Sequence, residues 1–423
     1  MTQIRRSPLR ASMTIIALAF ASSAHAQTCD VTLRDANVWT GSGFAKQTLA
    51  MRDGRFVIPD ATKSSVDASY LFLIPPFADG HSHKYDSTTK SDDPAHNQAI
   101  AQGVFYALNP NNIRTPGPTP AASAGAVEVQ AAGGGVTRPG GHPQPLYEYL
   151  ARQPWFGMSA KDLPGKAFHL VTTPDEARKA VRLVKVNGAA VIKLYLLNHD
   201  KGDLSEGLSA ENFLAAVKEA KAQKLRPLVH IESAADFRLA VKAGVYAIVH
   251  SPYAAPTDKL PAENFMLTAE DAAAGAKAGI IVVPTVTVPL LNNDGAKLAA
   301  VQAIQRHNLT LLRDAKVKMA VGADNYARGL HDEVTTLRSF ALFEGAEILN
   351  MATINGAELA FPERKIGKFT PGYEASFVGY YFNPIGLWGS LNEPVVGVRA
   401  GVTMIDQRGV LAKMCLKPSA TAK

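Results

Sequence analysis

The sequence is poor in cysteine, with two in 423 residues, which excludes a small scaffold stapled by many disulfides. No G-x-x-x-x-G-K-[ST] loop occurs, and no G-x-G-x-x-G opens a helix after the first strand. Both absences count against nucleotide-binding readings. The apolar run from Met13 to Ala21 is well short of the ~20 residues that a bilayer core requires, which counts against a retained anchor. Although the formal charge is +7, Lys and Arg are scattered through helical stretches such as Arg178 to Lys185 and Lys218 to Lys224. No basic run of the kind that tracks phosphates is present, so no nucleic-acid partner is expected.

What is there is an ordinary globular composition, 47% hydrophobic and 19% charged, in a chain long enough to bury a large core. Residues 1–26 stand apart. Arg5, Arg6 and Arg10 precede the apolar run, and Ala24-His25-Ala26 follows it, the pattern of a secretory signal with an A-x-A cleavage site. Cleavage would remove three Arg and no acidic residue, lowering the formal charge from +7 to +4. It would also place the protein in the periplasm or outside the cell, with no stable membrane association. Export leaves Cys29 and Cys415 either bridged or as two unpaired thiols.

From Val31 to Ala68 the sequence reads as short strands and turns, with Asp53-Gly54 as a hairpin signal. The tail from Gly372 to Met414 has the same character. Both ends are therefore expected to build one small β-sandwich domain, over 27–70 and 370–423. Between them, over 71–369, apolar strands alternate with helices, the pattern of a parallel α/β domain. Thr173 with Pro174 opens a helix that stops at Asn187-Gly188; Ser209 caps another; Gly244 and Gly279 end two more; and Thr268 with Asp271 forms a capping box. Eight strand candidates precede or follow these helices: LFLIPPFADGHSH, QGVFYAL, AGAVEVQ, AAVIKLYL, RPLVHI, VYAIVH, IIVVPTVTV and KMAVGAD. The count and length predict a (β/α)8 TIM-type barrel, with a doubly wound open sheet as the alternative. Residues 84–165, rich in Pro and Gly, are expected to carry long loops over the face that shapes a substrate pocket.

The chemistry-bearing residues fall at strand ends. His81 and His83 end the first barrel strand, His230 and His250 end two others, and Asp324 ends the last. In a TIM barrel these ends converge on one mouth. The H-x-H spacing puts both imidazoles on one face of an extended chain, where they can share a metal ion. Lys193 lies in the middle of VIKLYL, where an unpaired ammonium is costly to bury. Desolvation favours the neutral amine, which can take up carbon dioxide to give a carbamate, an anion able to bridge two cations. By the same alternation Tyr195 points toward the site. Singly, each of these histidines could be a packed core residue, the lysine could snorkel, and the aspartate could belong to a turn. Six together at strand ends favour a metal centre.

The pattern resembles the metal-dependent amidohydrolase superfamily, in particular its imidazolonepropionase-like and Xaa-Pro dipeptidase-like branch. The resemblance spans nearly all of the chain after the leader. It rests on IPPFADGHSH, GGGVTRPGGH, VIKLY, LVHIES, AIVHSPY and VGADN, and on the closing ATINGAELAF and KIGKFTPGYEASFVGY. It implies two divalent metal ions, with His81, His83 and Asp324 on the more buried one, His230 and His250 on the second, and carboxylated Lys193 between them. His142 matches a family histidine near the substrate; a plain loop histidine beside Gly140-Gly141 is the competing reading. Phe77 follows Pro75-Pro76 where the family usually has a Pro-Gly pair, and Ser376 replaces the Asp common in its last motif. Both departures touch packing rather than chemistry.

The implied activity is hydrolysis of an amide-like C–N bond in a small molecule such as a dipeptide, an N-acyl amino acid or a lactam. Two cations sharing a water lower its pKa, and one of them polarises the carbonyl. Asp324 would serve as general base, and Tyr195 and His142 would hold the oxyanion or a substrate carboxylate. Nitrogen and oxygen ligands suit zinc. The rivals are a mononuclear deaminase or imidazolonepropionase-like hydrolase, and a catalytically inactive binding protein on the same barrel. Lys193 speaks against the first, as does Glu232, which sits one residue too early for an H-x-x-E. The complete ligand set speaks against the second. A homo-oligomer is compatible with either reading.

Overall fold

The structure is a computed structural model, and it describes residues 29–60, 65–85, 93–113, 125–326, 328–407 and 409–411. The leader segment 1–26 and Cys415 lie outside the described residues; Cys29 is disulfide-bonded.

The two ends of the chain meet in one eight-stranded sheet. Val31–Trp39, Phe44–Arg52, Arg55–Val57, Ser65–Asp67 and Phe72–Ile74 from the front join Phe377–Tyr380, Val396–Arg399 and Val402–Asp406 from the back. The joint is an antiparallel pairing of Phe72–Ile74 with Phe377–Tyr380. Alternating apolar residues give this sheet its own core, including Leu33, Val38, Leu73, Phe377 and Val398.

The sequence LFLIPPFADGHSH, expected as one barrel strand, is two. Phe72–Ile74 belongs to the terminal sheet and Phe77–Asp79 to a parallel one. Pro75 and Pro76 separate them, and neither can donate to a ladder, so the chain changes sheets there.

The middle of the chain is α/β. Phe77–Asp79, Val104–Asn109 and Glu128–Ala131 form one parallel sheet. Seven more parallel strands form another, in the order Phe168–Leu170, Gly135–Thr137, Val191–Tyr195, Arg226–His230, Ala247–Ile248, Ile281–Val282 and Lys318–Met319. Beyond the two sheets, backbone hydrogen bonds from Gly80 N to the Val321 carbonyl and from Asp324 N to the His81 carbonyl join the segments after their outer strands. Strand and helix side chains share one large core.

The helix signals hold residue by residue. Pro174–Val186 begins with a complete Thr173/Glu176 capping box, and Ala210–Ala222 is capped by Ser209. Ala234–Ala243 and Ala269–Ala278 end on left-handed Gly244 and Gly279. The strands are shorter than expected: IIVVPTVTV keeps only Ile281–Val282, and KMAVGAD only Lys318–Met319. Past those points the chain leaves its ladder, and Thr285 and Asp324 adopt positive φ of 51° and 45°. The stretch 84–165 is also less loop-like than its composition suggests. It carries the helices Pro94–Ala101 and Gln144–Leu150 and the short strand Gly135–Thr137. Among the described residues no helix is long and apolar enough to cross a membrane.

Candidate active site and metal centre

His81, His83, His142, Lys193, Tyr195, His230, His250 and Asp324 come together at the C-terminal ends of the parallel strands. Their rings form a chain: His83 to His81 is 5.2 Å between centroids, His81 to His250 5.1 Å, His250 to His230 4.0 Å and His230 to His142 4.9 Å. Tyr195 is paired in register with His230 on the neighbouring strand, with their rings 5.5 Å apart. Lys193, two residues earlier on the same face, is 1% exposed and has its Nζ 5.2 Å from the Tyr195 ring. It has no ion-pair partner among the described residues.

Asp324 reaches this group from a turn rather than from a strand end, five residues past Met319. Its backbone is held against the first strand by the bond to His81 already described. Gly322 must lack a side chain there, because a Cβ would lie 2.4 Å from His81 N.

The hydrogen bonds decide the protonation of the rings. His81 Nδ1 lies 3.1 Å from the Val249 carbonyl, which can only accept, so Nδ1 carries the proton. His250 Nδ1 lies 2.7 Å from Thr285 Oγ1, and that hydroxyl donates to the Pro284 carbonyl, so this Nδ1 is also a donor. Burial drives the His81 imidazole down to about 4 and those of His142, His230 and His250 well below the usual histidine value. The rings are therefore neutral at neutral pH, and the Nε2 lone pairs of His81 and His250 are left without a proton.

Those lone pairs meet other acceptors. His81 Nε2 and His83 Nε2 each lie 3.0 Å from Asp324 Oδ1 and 3.3 Å from one another, and His250 Nε2 is 3.5 Å from Asp324 Oδ2. Burial alone would raise the Asp324 carboxyl, but His81, His83 and His250 outweigh it and hold the group well below the carboxylate range. Nε2 of His230 and of His250 and Nδ1 of His83 are buried without a hydrogen-bond partner. A cluster of inward acceptors with too few protons is costly unless a cation sits among them, and nitrogen and carboxylate donors suit a divalent metal. His81, His250 and Asp324 place their ligand atoms within 4.8 Å of one another.

A family model described as the amidohydrolase family matches residues 169–402. The chain belongs to the amidohydrolase family. It is therefore a metal-dependent hydrolase acting on C–N bonds.

Solved structures share the fold at low identity. A Xaa-Pro dipeptidase with methionine bound in its active site is 18% identical, with a TM-score of 0.66 over 88% of this amidohydrolase and 99% of that chain. A putative prolidase from Bifidobacterium longum is 18% identical, with a TM-score of 0.67 over 92% and 98%. The ochratoxinase of A. niger is 18% identical, with a TM-score of 0.67 over 90% and 97%. No curated protein matches the sequence.

Several residues that hold this site were not singled out from the sequence. Asn111 is fully buried and takes four partners: Gly135 N at 2.6 Å and the Tyr195 hydroxyl at 3.2 Å donate to its Oδ1, and its Nδ2 donates to the Tyr147 hydroxyl and the Ala167 carbonyl. A Cβ on Gly135 would fall 2.3 Å from the Tyr195 ring, so glycine is required where this network packs. Asp79 accepts from His81 N and Ala323 N, tying the first and last ligand segments together; burial pushes its carboxyl up to about 7. Their one signal in the sequence is a polar residue set beside an apolar strand.

A second acidic group, His199, Asp200 and Asp236, has a different character. Asp236 accepts from the backbone N–H groups of Asn198, His199 and Ser233 and from His199 Nδ1. Its carboxylate is saturated as a helix cap. The two departures from the family pattern are equally explained by packing. Phe77 is buried edge-on to His331, and Ser376 Oγ bonds the Tyr106 hydroxyl and accepts from Ala400 N.

Proposed function

We propose that this amidohydrolase is an exported, binuclear enzyme that hydrolyses an amide bond in a dipeptide, an N-acyl amino acid or a lactam. In this reading the two parallel sheets act as one TIM-type barrel over 71–369, and the terminal strands as a β-sandwich over 27–70 and 370–423. The observation that carries the reading is the excess of inward acceptors at the mouth, where the Nε2 atoms of His81 and His250 face the Asp324 carboxylate and Nε2 of His230 and of His250 have no hydrogen-bond partner.

His81, His83 and Asp324 would hold one divalent ion and His230 and His250 the other, both zinc. A carbamate on Lys193 would lie between them; the buried, unpaired position of this lysine is what supports it. Bound cations would acidify water and polarise the scissile carbonyl. Asp324 would take the proton from the attacking water and deliver it to the leaving nitrogen as the C–N bond breaks. Burial raises the Tyr195 hydroxyl well above its usual value, so it stays a phenol; its proton goes to Asn111 Oδ1 in this structure, and donation to the oxyanion would require it to turn from that partner. His142, with a neutral ring next to His230, would orient the acyl or carboxylate end. The mononuclear alternative draws on the tight grouping of His81, His250 and Asp324.

The test is a screen of dipeptides, N-acyl amino acids and lactams with zinc-loaded protein in bicarbonate buffer, alongside metal analysis and intact mass. Two metals per chain, a mass gain of one carbon dioxide and release of an amine are expected. One metal per chain without the mass gain selects the mononuclear alternative, and release of no amine from any member overturns the substrate class. Periplasmic or extracellular recovery of a chain starting at Gln27 tests export, and sedimentation tests for a homo-oligomer.

A further inference from the structure

The mouth has two unlike walls. On one side stand charged groups: Arg138 and Glu232 act electrostatically on Glu206, whose backbone carbonyl accepts from His142 N. On the other side stands an aromatic pair. Trp155 is 61% exposed and Tyr326 37% exposed, with their rings 6.3 Å apart. Tyr326 lies two residues past Asp324, and its ring is 5.9 Å from that of His83. Trp155 comes from the connection that also carries His142. It is held by its neighbour Phe156, which is fully buried with Ile113, Tyr147 and Leu163. The indole is thus held at its base and mostly exposed, and the ring contacts lead from it through Tyr326 to His83.

An indole left mostly in water forfeits a large apolar gain, and exposed aromatic surface continuous with a reactive centre marks a place where a ligand completes the packing. We propose that Trp155 and Tyr326 form a specificity subsite for an aryl or comparably large apolar group on one half of the substrate. This rests on the reading of the mouth as an amide hydrolase site. It narrows the substrate to amides with an aromatic or bulky apolar side chain, and it sends neutral polar ends of the substrate toward the charged wall.

The test reads binding apart from turnover. L-Phenylalanine against L-alanine, and phenylacetate against acetate, cover the two halves of such an amide and contain no amide bond to cleave. Calorimetric titration of the metal-loaded full chain should show at least one benzyl ligand binding about tenfold more tightly than its methyl partner, a difference within reach of a stacked ring. Trp155→Ala should erase that preference and Trp155→Phe should keep most of it. Equal binding of both members of both pairs, or a preference untouched by Trp155→Ala, overturns the subsite. So does a Trp155→Ala variant whose only change is in sedimentation, since Leu146 and Tyr149 are also exposed on this connection and that result would make the patch a contact with a second copy. A Trp155-dependent preference without amine release from any amide would instead keep the subsite and remove the hydrolytic reading.

Discussion

Two polar clusters lie at opposite ends of the parallel strands, and they are built on opposite principles. At the start of Glu128–Ala131, Arg364 donates from Nε and Nη2 to Glu374, both at 2.8 Å, and from Nη1 to Glu128 at 2.6 Å. Burial works against its charge, but the two carboxylates more than offset it and hold the guanidinium above its usual value. Donors and acceptors match, and the cluster ties the strand to the terminal sheet. Past the other ends of the strands, at the mouth, acceptors outnumber donors: Nε2 of His81 and of His250 face the Asp324 carboxylate, and Nε2 of His230 and of His250 have no hydrogen-bond partner. A matched cluster is a joint, and an unmatched one is a binding site awaiting its ligand.

The largest effect expected is at the unmatched end. Asp324→Asn keeps the shape but replaces a carboxylate oxygen with an amide nitrogen, removing a proposed metal ligand and the proposed base. Turnover of any amide substrate should fall by about 10²–10⁴-fold, the range for losing a positioned acid–base group, and metal analysis should show fewer ions per chain. Thermal stability of the metal-free protein should hold or rise, because the amide can donate to a lone pair that now meets only acceptors. A metal-free variant much less stable than the metal-free parent would show that this cluster is a joint after all.

Next comes the matched end. Arg364→Ala leaves Glu374 and Glu128 without their shared partner, and losing such part-buried, charge-assisted hydrogen bonds costs about 1.5–3 kcal/mol. Denaturant unfolding should show that loss, while turnover per folded molecule and metal content stay at parental values. A fall in activity per folded molecule would mean that the two ends communicate.

How far these two ends could be read from the sequence differs in an instructive way. The residues that meet at the mouth were legible because each carries a local mark: the two-residue spacing of His81 and His83, a lysine inside an apolar strand, histidines closing strands. Helix boundaries at Thr173, Ser209, Gly244 and Gly279 were legible for the same reason, since caps are local chemistry. What could not be read acts across distance. Asn111 reaches Tyr195 from 84 residues away and Asp79 reaches Ala323 from 244 away, and neither separation leaves a period in the chain. The strands Gly135–Thr137 and Phe168–Leu170 are three residues each, too short for alternation to register, and the first lies in a glycine-rich run that reads as loop. The split at Pro75-Pro76 was visible in composition, yet it becomes a change of sheet only once the terminal strands are there to receive Phe72–Ile74.

A smaller effect tests whether the unmatched end depends on its supporting hydrogen bonds. Thr285→Val exchanges a hydroxyl for a methyl at a residue already held at positive φ, so the backbone strain is shared by both forms. His250 Nδ1 loses its acceptor, the ring can move its proton to Nε2, and the lone pair that points at Asp324 is lost. Removing such a partner lowers metal affinity by about 10–100-fold, which a competition titration with a chromogenic chelator would measure. Unchanged affinity would mean that His250 binds no ion or is oriented by something other than Thr285.

The smallest effect sharpens the comparison at the joint. Ser376 stands where the family has an aspartate, and its hydroxyl links Tyr106, on a parallel strand, to Ala400 N in the terminal sheet. It lies at the matched end, in the same sheet as Val396–Arg399, and among the described residues no buried side-chain atom of Ser376, Tyr106 or Glu374 lacks a partner. Ser376→Ala should therefore cost only about 1 kcal/mol, the worth of an ordinary hydrogen bond, and leave metal content and turnover alone. Ser376→Asp, which restores the family residue, should be worse than Ala in this chain. A carboxylate placed there is larger, and it adds negative charge to a site close enough to Glu374 that Ser376 N donates to the Glu374 carbonyl. If the aspartate instead stabilised the protein, the joint would have a donor to spare, and the contrast between a saturated end and an unsaturated one would have to be redrawn.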